Sequence, residues 1–320
     1  MSEAWQFYIS TLLVYLGVNV MACWGLNLQF GVAGLLNFAF IIFQAIGAYA
    51  AALVTLGPHD PDSYQDYIFG AHLPFPLPIL AGAVAGGLLA LFVGVIALRR
   101  LRSDYQAVVM LVVSLIAASI ATNAVGLFNG APGLSLIPKP LASTLDVSLV
   151  GYQWFYVGLV AVCCLIVFVI TKRIQSSPFG RSLRALRDNP DAIAALGGNV
   201  GTLRIRAFVI GGAIAGASGA LLAGFIGAWS PASWDYRETF VLFTAILVGG
   251  TGNMLGAALG ALLVPIAFLE ASRFIPSFGR PGLVEALQWV VIGGVTLLFL
   301  WFWPRGLLPE RKRTYTVPEG

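Results

Sequence analysis

Eight runs of apolar residues, each long enough to cross a lipid bilayer as a helix, dominate this sequence of 320 residues. About 20 apolar residues suffice for one crossing. Only 10% of the residues are charged, whereas a soluble globular protein has about 25%, so the charges cannot cover a water-soluble fold. The sequence therefore predicts an all-α polytopic membrane protein. The runs occupy roughly residues 7–26, 30–57, 77–98, 106–128, 150–171, 205–229, 239–272 and 284–303.

The run at 239–272 is too long for one perpendicular crossing and contains the sequence Gly-Gly-Thr-Gly-Asn at 249–253. Irregular backbone is tolerated at membrane depth only where protein or a cavity surrounds it. We therefore expect two short or re-entrant helices that meet at a glycine turn. The joint at 25–34 is similarly compact, so we expect about eight to ten transmembrane or re-entrant helices. We expect them to form a single transmembrane domain, 1–308, followed by a cytoplasmic tail, 309–320.

Positively charged residues are concentrated in three parts of the sequence. Fourteen of the 18 Lys and Arg residues lie at 99–102, 172–206 and 305–313. Basic residues of membrane proteins accumulate in cytoplasmic loops, so we assign these clusters, and the C-terminus, to the cytoplasm. The other four basic residues then share the opposite face with nine of the 14 acidic residues. This orientation requires an even number of crossings between the loops at 229–238 and 273–283, which the predicted hairpin supplies.

Small residues recur at intervals of four in two of the runs. This spacing lets two helix backbones approach closely, and close packing drives helix association in lipid. We expect packing within the chain rather than a seam between two copies. The glycines of the predicted hairpin are Gly249, Gly250, Gly252, Gly256 and Gly260, and the second stripe is Gly211, Ala215, Gly219 and Ala223.

Several classes of chemistry lack their sequence motifs. None of the three lysines belongs to a GxxxxGK[ST] phosphate loop, and HExxH, CxxC and GxSxG motifs are absent. The cysteines lie inside apolar runs and predict no disulfide framework. Ionisable residues are nearly absent from the centres of the runs, which argues against a proton relay. We interpret His59 and His72 as loop residues rather than a metal site, and the N-terminus, with Glu3, predicts no cleaved signal peptide.

Neutral polar side chains remain at membrane depth and are candidates to line a path for a small neutral or zwitterionic solute. Asn37 and Gln44 are seven residues apart, so on one helix they would share a face. The alternative is that these side chains form hydrogen bonds between helices. The candidates for the translocation path are Asn19, Asn37, Gln44 and Asn123.

The stretch at 176–197 is polar and amphipathic. Phe179, Leu183 and Leu186 fall on one helical face, with arginines on the others. Asn189 before a proline predicts an N-cap, and Gly197 is placed just past a helix end. We therefore expect two short helices that join at Asn189. Such a segment lies on anionic lipid headgroups or docks a cytoplasmic partner.

The segment SPFGRSLRALRDNPDAIAALG at 177–197 resembles the coupling-helix motif of ATP-binding-cassette importer permeases for branched-chain amino acids. The resemblance is to LivM-like subunits, and it extends over roughly residues 10–308. Further stretches that resemble the glycine-rich and Ser-Pro signatures of this family follow in the same order. They lie at 27–36, 46–49, 219–221, 230–231 and 248–256.

This resemblance implies a half-transporter in a bacterial inner membrane. A second homologous permease would complete the path, two cytoplasmic subunits would bind ATP and Mg²⁺, and an extracytoplasmic binding protein would deliver the solute. The chain itself would bind no cofactor and contact lipid but no nucleic acid. Phe179 and Leu183 would seat in a groove of the ATPase, and Arg181, Arg184 and Arg187 would make polar contacts there. The full set implied for ATPase coupling is Phe179, Gly180, Arg181, Leu183, Arg184, Ala185, Arg187, Asn189, Asp191 and Gly197.

Three alternatives remain open. Permeases of this kind also import amides, urea or other small solutes, so the resemblance does not fix the substrate. A channel or facilitator would need no ATPase, and a membrane-embedded scaffold subunit would need no polar path.

Overall fold

The computed structural model describes residues 3–58, 64–100, 103–142, 148–274 and 282–310. The described residues form helices and connecting turns with no strand, and two isolated bridges join Tyr67 to Phe128 and Leu134 to Trp229. His59, Arg102, Arg280 and most of the predicted tail, 309–320, lie outside the described residues. In chain order the helices are α1 (Glu3–Asn27), α2 (Phe40–Thr55), α3 (Leu77–Arg100), α4 (Ser103–Asn123), α5 (Val125–Phe128), α6 (Leu149–Ser176), α7 (Pro178–Asp188), α8 (Pro190–Ala195), α9 (Val200–Ile226), α10 (Tyr236–Gly249), α11 (Met254–Leu262), α12 (Leu269–Ser272) and α13 (Leu283–Phe302).

Within the described ranges, seven helical segments are long and apolar enough to cross a membrane. Two of them include a π-helical turn: α1 continues through Leu28–Val32, and α11 continues through Leu263–Phe268 into α12. The shorter helices α2 and α10 add to these seven, so the predicted all-α polytopic membrane fold is confirmed. The seven segments are Glu3–Val32, Leu77–Leu98, Tyr105–Asn123, Leu149–Ser176, Val200–Ile226, Met254–Ser272 and Leu283–Phe302.

The centre of the bundle is formed by α2, α3 and α9, which pack closely through small residues. At Gly216 of α9, a β-carbon would collide with the carbonyl oxygen of Gly82 on α3. Gly47 of α2 approaches the backbone of Gly216 from another side. Helices in lipid gain stability from such backbone proximity. The stripe at 211–223 contacts α1 and α2 at Gly211 and Gly219, through Gln29 and Gln44, so α9 presents small residues on two faces.

Helices α10 and α11 form the hairpin that the sequence predicts, with a glycine turn between them. Gly250 has φ +128° and Gly252 has φ +77°, backbone angles that residues with a β-carbon rarely adopt. At Gly260 of α11, a β-carbon would overlap the carbonyl oxygen of Ala245 on α10, and Gly249 and Gly256 meet in the same way. The two helices of the hairpin therefore pack with their backbones in close contact at these glycines.

The bundle has two distinct ends. The hairpin turn, helices α7 and α8 and the segment 303–310 lie together at one end, which we call the arginine-rich end. The start of α1 lies at the opposite end, where the Tyr8 hydroxyl donates to Glu270 over 2.9 Å. The segments 64–76, 129–142 and 227–235 also lie at the opposite end, joined by the bridge between Leu134 and Trp229.

Candidate functional site

Helices α7 and α8 form the segment that resembles a coupling helix, and local capping defines their bounds. The Ser177 hydroxyl accepts from the amide of Gly180 over 3.3 Å, with Pro178 at the first helical position. Asn189 leaves the helical conformation, ends α7, and caps α8 by accepting from the amide of Ala192 over 3.1 Å. Gly197 follows α8 with φ +80°. The predicted pair of short helices with a joint at Asn189 is therefore confirmed.

The apolar face of α7 packs inside this chain. Leu183 is fully buried, Leu186 and Gly180 are buried, and Phe179 is half-buried. The expectation that Leu183 seats in a groove of a partner is therefore wrong, because its side chain offers no surface to another subunit. An amphipathic surface helix buries its apolar stripe against its own core, and Leu183 holds α7 to the bundle in this way.

Two of the three predicted coupling arginines also bind within the chain. Arg184 Nε donates to Glu310 Oε1 over 2.6 Å, and its Nη1 donates to the carbonyl oxygen of Gln175 over 2.9 Å. Arg187 Nη1 donates to Glu310 Oε2 over 3.0 Å and to the carbonyl oxygen of Gly31. These arginines are engaged with their own chain, whereas the third, Arg181, is exposed.

The outward surface of α7 and α8 is consequently small and mixed in character. Leu196, directly after α8, is 86% exposed, a high value for a leucine. Its neighbours on this surface are short or charged, so the leucine is the largest apolar group that a partner would meet. We call this the outward surface of the helix pair, and its exposed members are Arg181, Ala185, Asp188, Asp191, Ala192, Ala195 and Leu196.

A second polar network joins the hairpin turn to the end of α1. Asn27 Oδ1 accepts from the amide of Gly252 over 2.8 Å, and Asn27 Nδ2 donates to the carbonyl oxygen of Asn253 over 3.3 Å. Asn253 Oδ1 caps α11 by accepting from the amide of Leu255 over 3.0 Å. Its Nδ2 donates to the carbonyl oxygens of Leu308 and Pro309. The turn is thus held from both sides.

Asn37, one of the candidates for the translocation path, lies in a non-helical segment, because α2 begins only at Phe40. The expectation that Asn37 and Gln44 share a helix face is therefore wrong. Asn37 is fully buried, and its Nδ2 donates to Oε1 of Gln29 over 2.8 Å. Its Oδ1 accepts from the amide of Ala39 over 3.1 Å.

The other three path candidates lie in three different environments. Gln44 is buried and packs against Gly219 of α9. Asn19 donates to the carbonyl oxygen of Tyr15, one turn earlier in α1. Asn123 is exposed at the end of α4 and donates to the carbonyl oxygen of Ser119, one turn earlier in the same helix. The hydrogen bonds of Asn19 and Asn123 are local helical contacts, and Asn37 and Gln44 contact other parts of the chain. The contacts of the four candidates therefore do not define one common path.

A cavity of about 310 Å³ lies at the opposite end of the bundle, between α2, α9 and the adjoining loops. This volume is near the lower limit of small-molecule sites, which have about 300–1,000 Å³. Its wall is mostly apolar, and Lys139 is among the lining residues. None of the four path candidates lines it. Its lining includes Thr55, His72, Pro74, Lys139, Pro140 and Tyr156.

A model of the family described as "Branched-chain amino acid transport system / permease component" matches residues 8–300. The chain belongs to this family.

Curated relatives match this permease over most of its length. The "Probable branched-chain amino acid transport permease protein LivM" of Methanocaldococcus jannaschii is 27% identical, over 95% of this chain and 94% of the relative. The "High-affinity branched-chain amino acid transport system permease protein LivM" of Escherichia coli (strain K12) is 29% identical, over 100% of this chain and 75% of the relative. A probable LivH permease of Methanocaldococcus jannaschii is 25% identical, over 85% of this chain and 83% of the relative. No solved structure matches the chain.

Two residues of the permease's arginine-rich end are missing from the sequence-based prediction. The sequence assigns Glu310 only to a tail. The signal that could have identified it is its position as an acidic residue inside the basic cluster at 305–313. Leu196 carries the apolar part of the outward surface. It falls between the alanines of α8 and Gly197, where the helical pattern no longer indicates which way a side chain faces.

Proposed function

We propose that this permease is a subunit of an ATP-binding-cassette importer that takes up branched-chain or other small amino acids. A second, related permease completes the path, two ATPase subunits hold ATP and Mg²⁺, and an extracytoplasmic binding protein delivers the solute. The arginine-rich end, which includes the segment 303–310, faces the cytoplasm, because basic residues of membrane proteins accumulate in cytoplasmic loops. The chain resides in the inner membrane of a bacterial cell.

The observation that carries this proposal is the division of the helix pair into a bound side and an exposed side. Leu183 and Leu186 bury one side of α7 in the permease. The other side exposes Arg181 and Leu196 to the medium at the arginine-rich end. A helix pair that is seated in the permease and exposes an arginine together with an apolar side chain suits the docking of a second protein, because arginine is enriched among the residues that dominate interface energetics.

The relatives support the two related permeases of this proposal. Methanocaldococcus jannaschii has both a LivM and a LivH protein, and both are similar to this chain. The names of these proteins describe branched-chain amino acid transport. The apolar cavity with Lys139 at the opposite end is a suitable entrance for an amino acid with an apolar side chain.

Reconstitution tests the proposal directly. The permease is purified with its sister permease and two ATPase subunits, placed in lipid vesicles, and supplied with the binding protein and radiolabelled leucine, isoleucine or valine. We expect uptake that requires ATP hydrolysis. Uptake without ATP would identify a facilitator instead, and transport of urea or amides in place of amino acids would overturn the substrate class. Absence of transport by a complete complex would favour a scaffold subunit.

A matched pair of variants tests the docking surface. Leu196→Asp places a charge on the proposed anchor and is expected to reduce recovery of the ATPase subunits with the permease. Leu136→Asp is the control, since Leu136 is 83% exposed but lies at the opposite end. Equal recovery in both variants would show that Leu196 does not contact the ATPase.

A further inference from the structure

We infer that the segment 306–310, which we call the clamp, joins α7 to the hairpin turn so that the two move as one body. Glu310 acts in it as a positioning residue that transmits movement of the helix pair to the hairpin. The source of that movement, an ATPase at the outward surface, rests on the function proposed above. The mechanical connection itself rests on contacts within this chain.

The carboxylate of Glu310 forms the connection to α7. Its two oxygens accept from two arginines one helical turn apart, Oε1 from Arg184 and Oε2 from Arg187. The side chains of Arg184, Arg187 and Glu310 are 32%, 29% and 24% exposed. The three groups are therefore partly shielded from water, where ion pairs are screened less than on an open surface.

The backbone of the clamp forms the connection to the hairpin. The amides of Leu307 and Leu308 donate to the carbonyl oxygens of Val248 and Gly249, each over 2.8 Å. These carbonyls belong to the last turn of α10, where a helix lacks internal donors. Asn253 completes the connection from the other side of the turn by donating to the carbonyl oxygen of Leu308 over 3.1 Å.

A third contact brings the carboxylate directly to the turn. At Gly252, a β-carbon would lie 2.7 Å from Oε2 of Glu310. A glycine leaves room for this approach without any shift of the carboxylate, and the φ of +77° at Gly252 also favours glycine. Arg187 meanwhile reaches the carbonyl oxygen of Gly31 at the end of α1. One carboxylate and one arginine thus connect α7 with the hairpin turn and with the π-helical turn that follows α1.

Glu310→Gln tests the inference, because it keeps the size of the side chain and removes its charge. In the reconstituted transporter we expect ATP hydrolysis close to that of the wild type, with about tenfold less solute imported per ATP, the order of effect of losing one charge-assisted hydrogen bond. The matched control is Glu285→Gln, which makes the same change at an exposed position of α13, and it is expected to leave this ratio unchanged. An unchanged ratio in Glu310→Gln would overturn the inference.

Hydrogen exchange on the purified full-length permease gives a readout that needs no ATPase. In Glu310→Gln we expect faster exchange at the amides of Gly252, Leu307 and Leu308 and no change in the centre of α9. Exchange like that of the wild type would refute the connection even if ATP-driven uptake is observed. Faster exchange with no ATP-driven uptake by the wild type would instead overturn the proposed function and leave the connection standing.

Glu310→Asp is the second variant, for the case in which Glu310→Gln fails to assemble. It retains the charge and shortens the reach by one methylene, so we expect an import ratio between those of the wild type and Glu310→Gln. A ratio equal to that of the wild type, with unchanged exchange at Gly252, would show that the carboxylate does not position the turn.

Discussion

Asn37 donates a hydrogen bond of 2.8 Å to the side-chain oxygen of Gln29, and both residues are fully buried. Gln29 in turn donates to the carbonyl oxygen of Phe208 on α9 over 2.8 Å. The chain of contacts holds the non-helical segment before α2 against the central helix α9. Asn37, a candidate for solute contact on sequence grounds, is thus part of a brace between two segments in this structure.

The first prediction follows from this brace. Asn37→Ala leaves the buried oxygen of Gln29 and the amide of Ala39 unpaired, which costs about 1–3 kcal/mol for each buried group. We expect a lower temperature of thermal unfolding in detergent and an unchanged KM for uptake by the folded fraction. Asn123→Ala, at an exposed site, is the control and should unfold like the wild type. A changed KM with unchanged stability would mean that Asn37 contacts the solute.

The second prediction concerns the interior of the hairpin. Gly260→Ala places a methyl group against the carbonyl oxygen of Ala245, and overpacking of this kind costs about 1–3 kcal/mol. We expect a lower unfolding temperature, measured by fluorescence-detected size exclusion after heating. Gly293→Ala is the control, because apart from its chain neighbours and the nearby backbone of α13 no described heavy atom lies within 4 Å of the added carbon. Similar unfolding of the two variants would contradict the close packing of α10 and α11.

The third prediction concerns the joint between α7 and α8. Asn189→Ala removes the side-chain acceptor for the amide of Ala192, and loss of such a cap costs about 1 kcal/mol. We expect faster hydrogen exchange in α8 with little change in α7, which Leu183 and Glu310 hold independently. Asn189→Asp retains the acceptor and should exchange like the wild type. If the amides of α8 exchange as slowly in Asn189→Ala as in the wild type, contacts other than the cap maintain this helix.

The fourth prediction concerns orientation. In a background with Cys23, Cys163 and Cys164 replaced, Leu136→Cys and Leu196→Cys each provide one exposed thiol at opposite ends of the bundle. In intact cells, a membrane-impermeant maleimide should label only the variant at position 136. After permeabilisation both should be labelled. Labelling of position 196 in intact cells would reverse the proposed orientation.

The sequence was sufficient for those features whose causes are local. Apolar length predicts the membrane helices, glycines mark the hairpin turn, and the pair Asn189–Pro190 defines the joint of α7 and α8, because each depends on a few consecutive residues. The period of α7 correctly indicates a buried apolar face. It cannot indicate whether this chain or a partner covers that face, and so the prediction that Leu183 seats in an ATPase groove is wrong.

The contacts that the sequence did not reveal join residues far apart in the chain. Asn37 lies next to Gln29 only because the backbone leaves the helix between them, and no spacing rule applies to a non-helical segment. Glu310 meets Arg187 across 123 positions. A carboxylate after the last span is equally compatible with a free tail and with an ion pair, so only the folded structure decides between them.

The separation of Glu310 from its arginines also imposes an order on biogenesis. Arg184 and Arg187 leave the ribosome long before the last span, Leu283–Phe302, has entered the membrane. Glu310 follows that span, so the ion pairs can form only once α13 is inserted with the correct end facing the arginines. A nascent chain with a missed or inverted final span would keep two unneutralised guanidinium groups beside the hairpin turn. Membrane insertion of the last span and formation of these ion pairs are thereby linked in time.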